Sequence, residues 1–312
     1  MKTFFLKIIK ALLISISISI TAITAQTNTS KSTIPSARQI IAAISHDSLQ
    51  GRKPATAGYD KAARYVEQQL LTIGAKPLFG TLFIDSVSTY YGYNVVGVLE
   101  SPHSLNEYIL IGAHLDHMGI LSGNKKDSVF NGANDNASGV AAVLKIAEAL
   151  SKQQLSKKVI IALFTSEETR LDGSNALAKR IKAQQIPLKY VINFDMIGTT
   201  MIDAPKKVFI TGFDKSNLAV TANTLLQEDF LLKDAQTEDM ELFRYSDNFS
   251  FYRELNIPAH TLSTFNMRNF DCYHRTCDEV SEIDVKNLES IIQKSTTFII
   301  ELLKQNSQIA LN

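Results

Sequence analysis

Cysteine occurs only twice in the 312-residue chain, proline seven times and glycine fourteen times. So few thiols exclude a disulfide scaffold, and so little proline and glycine excludes a collagen-like or low-complexity chain. Neither sign of charge is in excess: 32 Lys and Arg face 31 Asp and Glu, a net charge of +1. That balance supplies no broad basic field for nucleic acid or acidic lipid. No G-x-S-x-G motif marks a serine nucleophile. What is present, 45% hydrophobic and 20% charged residues, describes a folded globular chain able to bury a large core.

The first 25 residues differ from the rest. Lys2, Lys7 and Lys10 precede an uncharged Ile- and Leu-rich stretch from Ala11 to Ala25, the pattern of a secretory signal peptide cut after Ala25. The stretch is short and interrupted by Ser and Thr, so no membrane anchor is expected after cleavage. Loss of its three lysines leaves 29 basic groups against 31 acidic ones. Residues 26–35, polar and rich in Thr and Ser, read as a flexible lead-in, and residues 36–312 as one domain. The expected location is outside the cytoplasm, in a periplasm or beyond the cell.

From Ser36 the pattern is helical, and residues 58–71 place Ala62, Tyr65, Val66, Gln69 and Leu70 on one helix face. Strands are predicted over 81–87, 94–99, 108–113, 158–164, 190–194, 207–211 and 259–263. Helices are predicted over 138–150, 174–182, 216–227 and 285–303. This alternation implies an α/β fold, a single domain with a central mixed, mostly parallel β-sheet flanked by helices. Such sheets bind ligands at the carboxyl ends of their strands. Polar groups follow three apolar strand runs there: His114 and Asp116, Glu167 and Glu168, and Asp195.

Taken singly, each group has a plain structural reading. His114 and Asp116 share one side of a strand end, where a carboxylate can orient a metal-bound imidazole or simply hydrogen-bond to it. Asp135 stands in the turn-rich NGANDNASG, as an Asx-turn acid or as a carboxylate bridging two cations. Glu167 and Glu168 would repel if both were buried without a cation, but a solvated pair at a helix start would not. An acid such as Asp195 after a buried strand is less common. His274 has Asp278 four residues on. Among the other histidines His46, His103, His117 and His260 lack such a setting, although His117 is close to His114.

In order, GAHLDH, NGANDNASGVAAV, TSEE, NFDMIG and YHRTCDE resemble the motifs of the two-zinc aminopeptidase family, which also includes glutamate carboxypeptidase, the glutaminyl cyclases and the transferrin receptor ectodomain. The match runs from about Ser48 to Asp284 and includes SLQGRKPATAGYDKAARYV. The resemblance implies one zinc held by His114, Asp135 and Asp195, and a second held by Asp135, Glu168 and His274. It makes Glu167 the general base, Asp116 the acid supporting His114, and Asp278 a further acid behind the ligands. Two cations, three ligand carboxylates and one hydroxide sum to zero charge, and a donor set without thiolate suits zinc, with cobalt or manganese as substitutes.

The implied reaction is metal-assisted hydrolysis of peptides with a free N-terminus. A glutaminyl cyclase, a carboxypeptidase and a non-catalytic receptor-like domain are the alternatives. All ligand positions are filled, which favours catalysis, and no Arg cluster points to a substrate carboxylate. Ser246-Asp247-Asn248 departs from the family's Ser-Asp-His at its last residue. Phe249, Phe251 and Tyr252 either line an apolar substrate pocket or belong to the core. Cys272 and Cys277 flank His274 and either close a short loop or remain free thiols.

Overall fold

The computed structural model describes residues 33–87, 92–123 and 127–312; the expected signal peptide lies outside them. The expected lead-in overlaps them only at residues 33–35, where Ile34 is already packed into the core. Helix α1 (Ala37–Ile44) starts at a capping box: Ser36 Oγ accepts the Gln39 N–H at 3.4 Å, and Gln39 Oε1 accepts the Ser36 N–H at 2.9 Å. These bonds satisfy two donors that a helix start leaves open. Helix α2 (Ala57–Thr72), capped by Thr56, buries Tyr59, Ala62, Val66 and Leu70 at helical spacing.

The strands then run β1 (Lys76–Pro77), β2 (Ile84–Ser86), β3 (Tyr93–Leu99), β4 (Leu105–His114), and a small hairpin of β5 (Gly119–Ile120) with β6 (Val129–Phe130). After α3 (Gly139–Leu150) come β7 (Lys157–Phe164), the one-turn α4 (Glu167–Arg170) and α5 (Asp172–Ala183). Next are β8 (Leu188–Phe194), β9 (Val208–Ile210), α6 (Leu218–Leu226), β10 (Leu231–Leu232) and α7 (Ala235–Asp239). The chain closes with α8 (Asn248–Leu255), β11 (Ala259–Ser263) and α9 (Val285–Lys304). The strand predicted over 81–87 shortens to β2, and the hairpin, α7 and α8 had no counterpart in the sequence reading.

The main sheet has the order β1-β3-β7-β4-β8-β11-β9-β10, with β2 also on β3. Its central four strands, β7, β4, β8 and β11, are mutually parallel. Strand β3 joins β7, and β9 joins β11, antiparallel. The sheet is therefore mixed with a parallel centre.

Period-two alternation places helices on both faces. Ile109, Ile111, Val159, Ile161 and Ile192 enter one apolar cluster with α1, α2, α3 and α9. Leu110, Ile160, Ala162, Phe164 and Val191 enter another with α5 and α8. Both faces being covered explains why these strands are continuous apolar runs. Among the described residues no helix is long and apolar enough to cross a membrane.

Ile111 is fully buried at the middle of β4. Ile111→Ala is expected to cost about 2–5 kcal/mol in a denaturant titration; a cost below about 1 kcal/mol would contradict its place in a close-packed core.

Candidate active site

Parallel pairing brings the chemistry to one sheet edge. His114 is the last residue of β4 and is in register with Phe164 of β7, after which Thr165 and Ser166 lead into Glu167 and Glu168. On the other side Gly112 pairs with Asn193, so His114 and Asp195, each two residues further on, leave adjacent strands at one level. Asp135 arrives in the tight turn Ala133–Ser138 that precedes α3. His274 arrives in the loop after β11, which a Cys272–Cys277 disulfide closes across a Cα separation of 5.3 Å. The alternative of two free thiols is thereby removed.

The side chains expected at the site converge. His114 Nε2 is 3.2 Å from Asp135 Oδ1 and 3.6 Å from Asp195 Oδ1. His274 Nε2 is 3.3 Å from Asp135 Oδ2 and 3.0 Å from Glu168 Oε2. Asp135 thus gives one oxygen to each imidazole, the arrangement a carboxylate shared by two cations requires. His117, to which no role was assigned, also joins: its Nδ1 is 2.5 Å from Glu168 Oε1. Imidazole and carboxylate donors without thiolate, with three acids converging on three imidazoles in a largely buried setting, fit zinc.

The frame around these groups is mostly main chain. Arg52, fully buried, donates from Nε to the Leu115 carbonyl at 2.9 Å, and from Nη1 to the Asn131 and Ile44 carbonyls at 2.5 and 3.1 Å. Its Nη2 reaches the Gly132 and Asp135 carbonyls at 3.1 and 3.5 Å. Gly132 has φ +60°, and a Cβ there would lie 2.2 Å from the Asp135 carbonyl oxygen, so only glycine fits beneath this cation. From the other side Asp278 accepts the N–H groups of Asn134 and Asp135 at 2.7 and 3.0 Å. Asn136 accepts the Gly139 and Met196 N–H groups and donates to the Phe194 carbonyl, tying the turn to the segment that carries Asp195. Ser246 Oγ donates to Asp195 Oδ2 at 2.7 Å.

Asp116 differs from its expected contact. The nearer partner of His114 Nδ1 is the Asp116 main-chain carbonyl at 3.3 Å, with the carboxylate oxygen 3.9 Å away. That oxygen accepts the Glu167 N–H at 3.2 Å, so one residue anchors both the imidazole and the start of α4.

Burial and charge set the protonation of the metal-free cluster. Burial opposes charge on His274, but hydrogen bonds to Asp135 and Glu168 outweigh it and hold the imidazole at about 10. Burial likewise opposes charge on His114, and Glu167, Asp135 and Asp195 raise it well above its usual value. Burial raises Glu167 well above an ordinary glutamate, against the pull of His114, with Asp195, Asp247 and Glu168 adding to the rise. Asp116 rises to about 6 and Asp247 to about 7 from the same desolvation. Asp135, although penalised by burial, is lowered by His117, His114 and His274.

Beside the cluster opens a cavity of about 120 Å³ whose other walls include Phe209, Thr211, Leu242, Tyr245, Phe265 and Met267. The aromatics offered by the sequence lie elsewhere. Phe251 packs on Phe164 in the core, and Phe249 and Tyr252 surround Phe243 in a separate depression. Asn248 is buried, donating to the Phe243 and Ala259 carbonyls and accepting from Thr261 Oγ1; its role is to brace β11. These wall residues come from three short segments with no shared spacing, and no sequence signal marks them. Arg52 and His117 did have one, being polar residues inside segments otherwise read by motif.

The model of Peptidase family M28 matches residues 94–299. An aminopeptidase of Pseudomonas aeruginosa strain UCBPP-PA14 is 28% identical over 243 residues, covering 70% of this chain and 42% of the relative. The chain thus spans less than half the length of that curated relative. Among solved structures, BSAP, a zinc aminopeptidase from Bacillus subtilis, superposes with a TM-score of 0.67 at 14% identity over 88% of this chain and 98% of that one. Glutaminyl cyclase from Porphyromonas gingivalis superposes with a TM-score of 0.63 at 18% identity over 87% and 98%.

At pH 7 the raised His114 and His274 hold protons that a divalent cation must displace, so cation affinity should climb as pH rises towards 10. Calorimetric titration of the metal-free protein with zinc at pH 7, in buffers of different ionisation enthalpy, is expected to show at least about one proton released per chain. Binding without proton release would contradict the cluster described.

Proposed function

The chain belongs to peptidase family M28, and from that premise we propose that it is an exported metallo-aminopeptidase using two zinc ions and Glu167 as general base. The observation that carries this reading is Asp135, whose two oxygens face His114 and His274 separately. His114, Asp135 and Asp195 would hold one zinc, and Asp135, Glu168 and His274 the other. When bound, the ions supply Lewis acidity to the scissile carbonyl and acidify water.

The chain's own residues do the rest. Glu167 is partly buried, and its proton affinity is raised by desolvation, which suits a group that takes a proton from water and returns it to the leaving amine. Asp116 fixes its backbone. The cavity wall contains Glu167, Glu168 and Asp195 and neither Lys nor Arg. A free α-ammonium is therefore better accommodated than a free carboxylate, which favours amino- over carboxypeptidase action. Phe209, Leu242, Tyr245, Phe265 and Met267 supply an apolar wall, so the preferred N-terminal side chain is bulky and apolar. The Cys272–Cys277 disulfide supports an oxidising compartment.

Two tests follow for the protein without residues 1–25. Leucyl and phenylalanyl p-nitroanilides are expected to be cleaved, and N-acetylation should abolish cleavage; turnover of the blocked forms, or cyclisation of an N-terminal glutaminyl peptide instead, would overturn the aminopeptidase reading. Glu167→Gln should retain its metal while kcat falls about 10²–10⁴-fold. A near-normal kcat would remove Glu167 from the base role.

A further inference from the structure

We infer that His117 is a positioning residue that holds the carboxylate of Glu168 so that a single oxygen faces the second cation, an inference that rests on the two-zinc reading above. His117 is 1% exposed, in the loop after β4, with its ring nearly perpendicular to that of Phe130 and 6.0 Å from the ring of His274. The Glu168 oxygens are divided: Oε2 is 3.0 Å from His274 Nε2, and Oε1 is 2.5 Å from His117 Nδ1.

His117 lies within reach of the Asp135 and Glu168 oxygens that could hold a cation, and its distances favour a positioning role over a ligating one. Two donors on one tetrahedral zinc, each about 2.0–2.2 Å from the ion, stand roughly 3.3 Å apart, the spacing of His274 from Asp135 Oδ2. The His117 contact is well inside that spacing and is a direct hydrogen bond to the carboxylate. His117 Nδ1 is also 3.9 Å from Asp135 Oδ2. Its other nitrogen, Nε2, is buried with no hydrogen-bond partner among the described residues. Nδ1, where an acceptor waits, therefore carries a hydrogen and donates it to Oε1. With Oε1 so engaged, Glu168 has Oε2 alone to offer, and room remains on the second cation for water and substrate.

The test is zinc affinity, read by chelator competition on the protein without residues 1–25, with X-ray absorption on the zinc-loaded wild type. His117→Leu removes the donor and should weaken the second zinc about 10–100-fold with the first unchanged. His117→Asn, whose amide hydrogen can take the place of Nδ1–H, should stay within about threefold of wild type. The absorption spectrum should count two imidazoles shared between two zinc ions. Three imidazoles, or equal loss of the second zinc in both variants, would make His117 a ligand and overturn the inference, the former without any variant that must fold. Two zinc ions bound by His117→Leu with wild-type affinity would overturn it while leaving the two-zinc reading intact. A wild type that takes up one zinc would overturn both.

Discussion

One carboxylate facing two ways is the constraint on which the rest of this site depends. Asp135 can direct Oδ1 to His114 and Oδ2 to His274 only if its backbone is held from behind, because a free turn would let the side chain rotate towards one partner. Arg52 and Asp278 hold it, one gripping carbonyls and the other N–H groups of the same turn. A buried cation and a buried acid are each costly alone. Burial lowers Arg52 to about 10 against the pull of Asp278, and raises Asp278 to about 6 against the bonds it accepts from the Asn134 and Asp135 N–H groups.

This frame also explains why the site lies where it does. Parallel strands β7, β4 and β8 deliver His114, Glu167, Glu168 and Asp195 to one edge with spacing fixed by register. Asn136 then locks the Asp135 turn to the segment after β8. A parallel sheet thus supplies rigid positions for four groups, and the two remaining ones, Asp135 and His274, come on a bonded turn and a disulfide-closed loop. Preorganisation of that kind is what a cluster of like charges needs before a cation relieves their repulsion.

Much of this was legible in the sequence. The apolar strand runs and the 3.6-residue stripes of α2, α3 and α9 gave the mixed sheet and its two helical layers, because hydrophobic periodicity reports burial directly. Five motifs named the convergent side chains, since ligand chemistry restricts residue type strongly. Other features carry no such mark. The cavity wall from Phe209 to Met267 is assembled from segments distant in sequence, and apolar residues there read as ordinary core. For the same reason the sequence left Phe249 and Tyr252 open between pocket and core, and they line a separate depression. The hairpin β5–β6 is two residues per strand, too short to show a period. Arg52 lies inside a motif segment, but the five carbonyls around it are brought together only by the fold.

The claim at the centre is that two cations share Asp135. Crystals of the zinc-loaded protein, measured for anomalous scattering on both sides of the zinc absorption edge, test it directly. Two zinc peaks within about 4 Å of one another, one beside His114 and Asp195 and the other beside Glu168 and His274 with Asp135 between them, are what the account predicts. A single peak, or two peaks that leave Asp135 on one side, would contradict it.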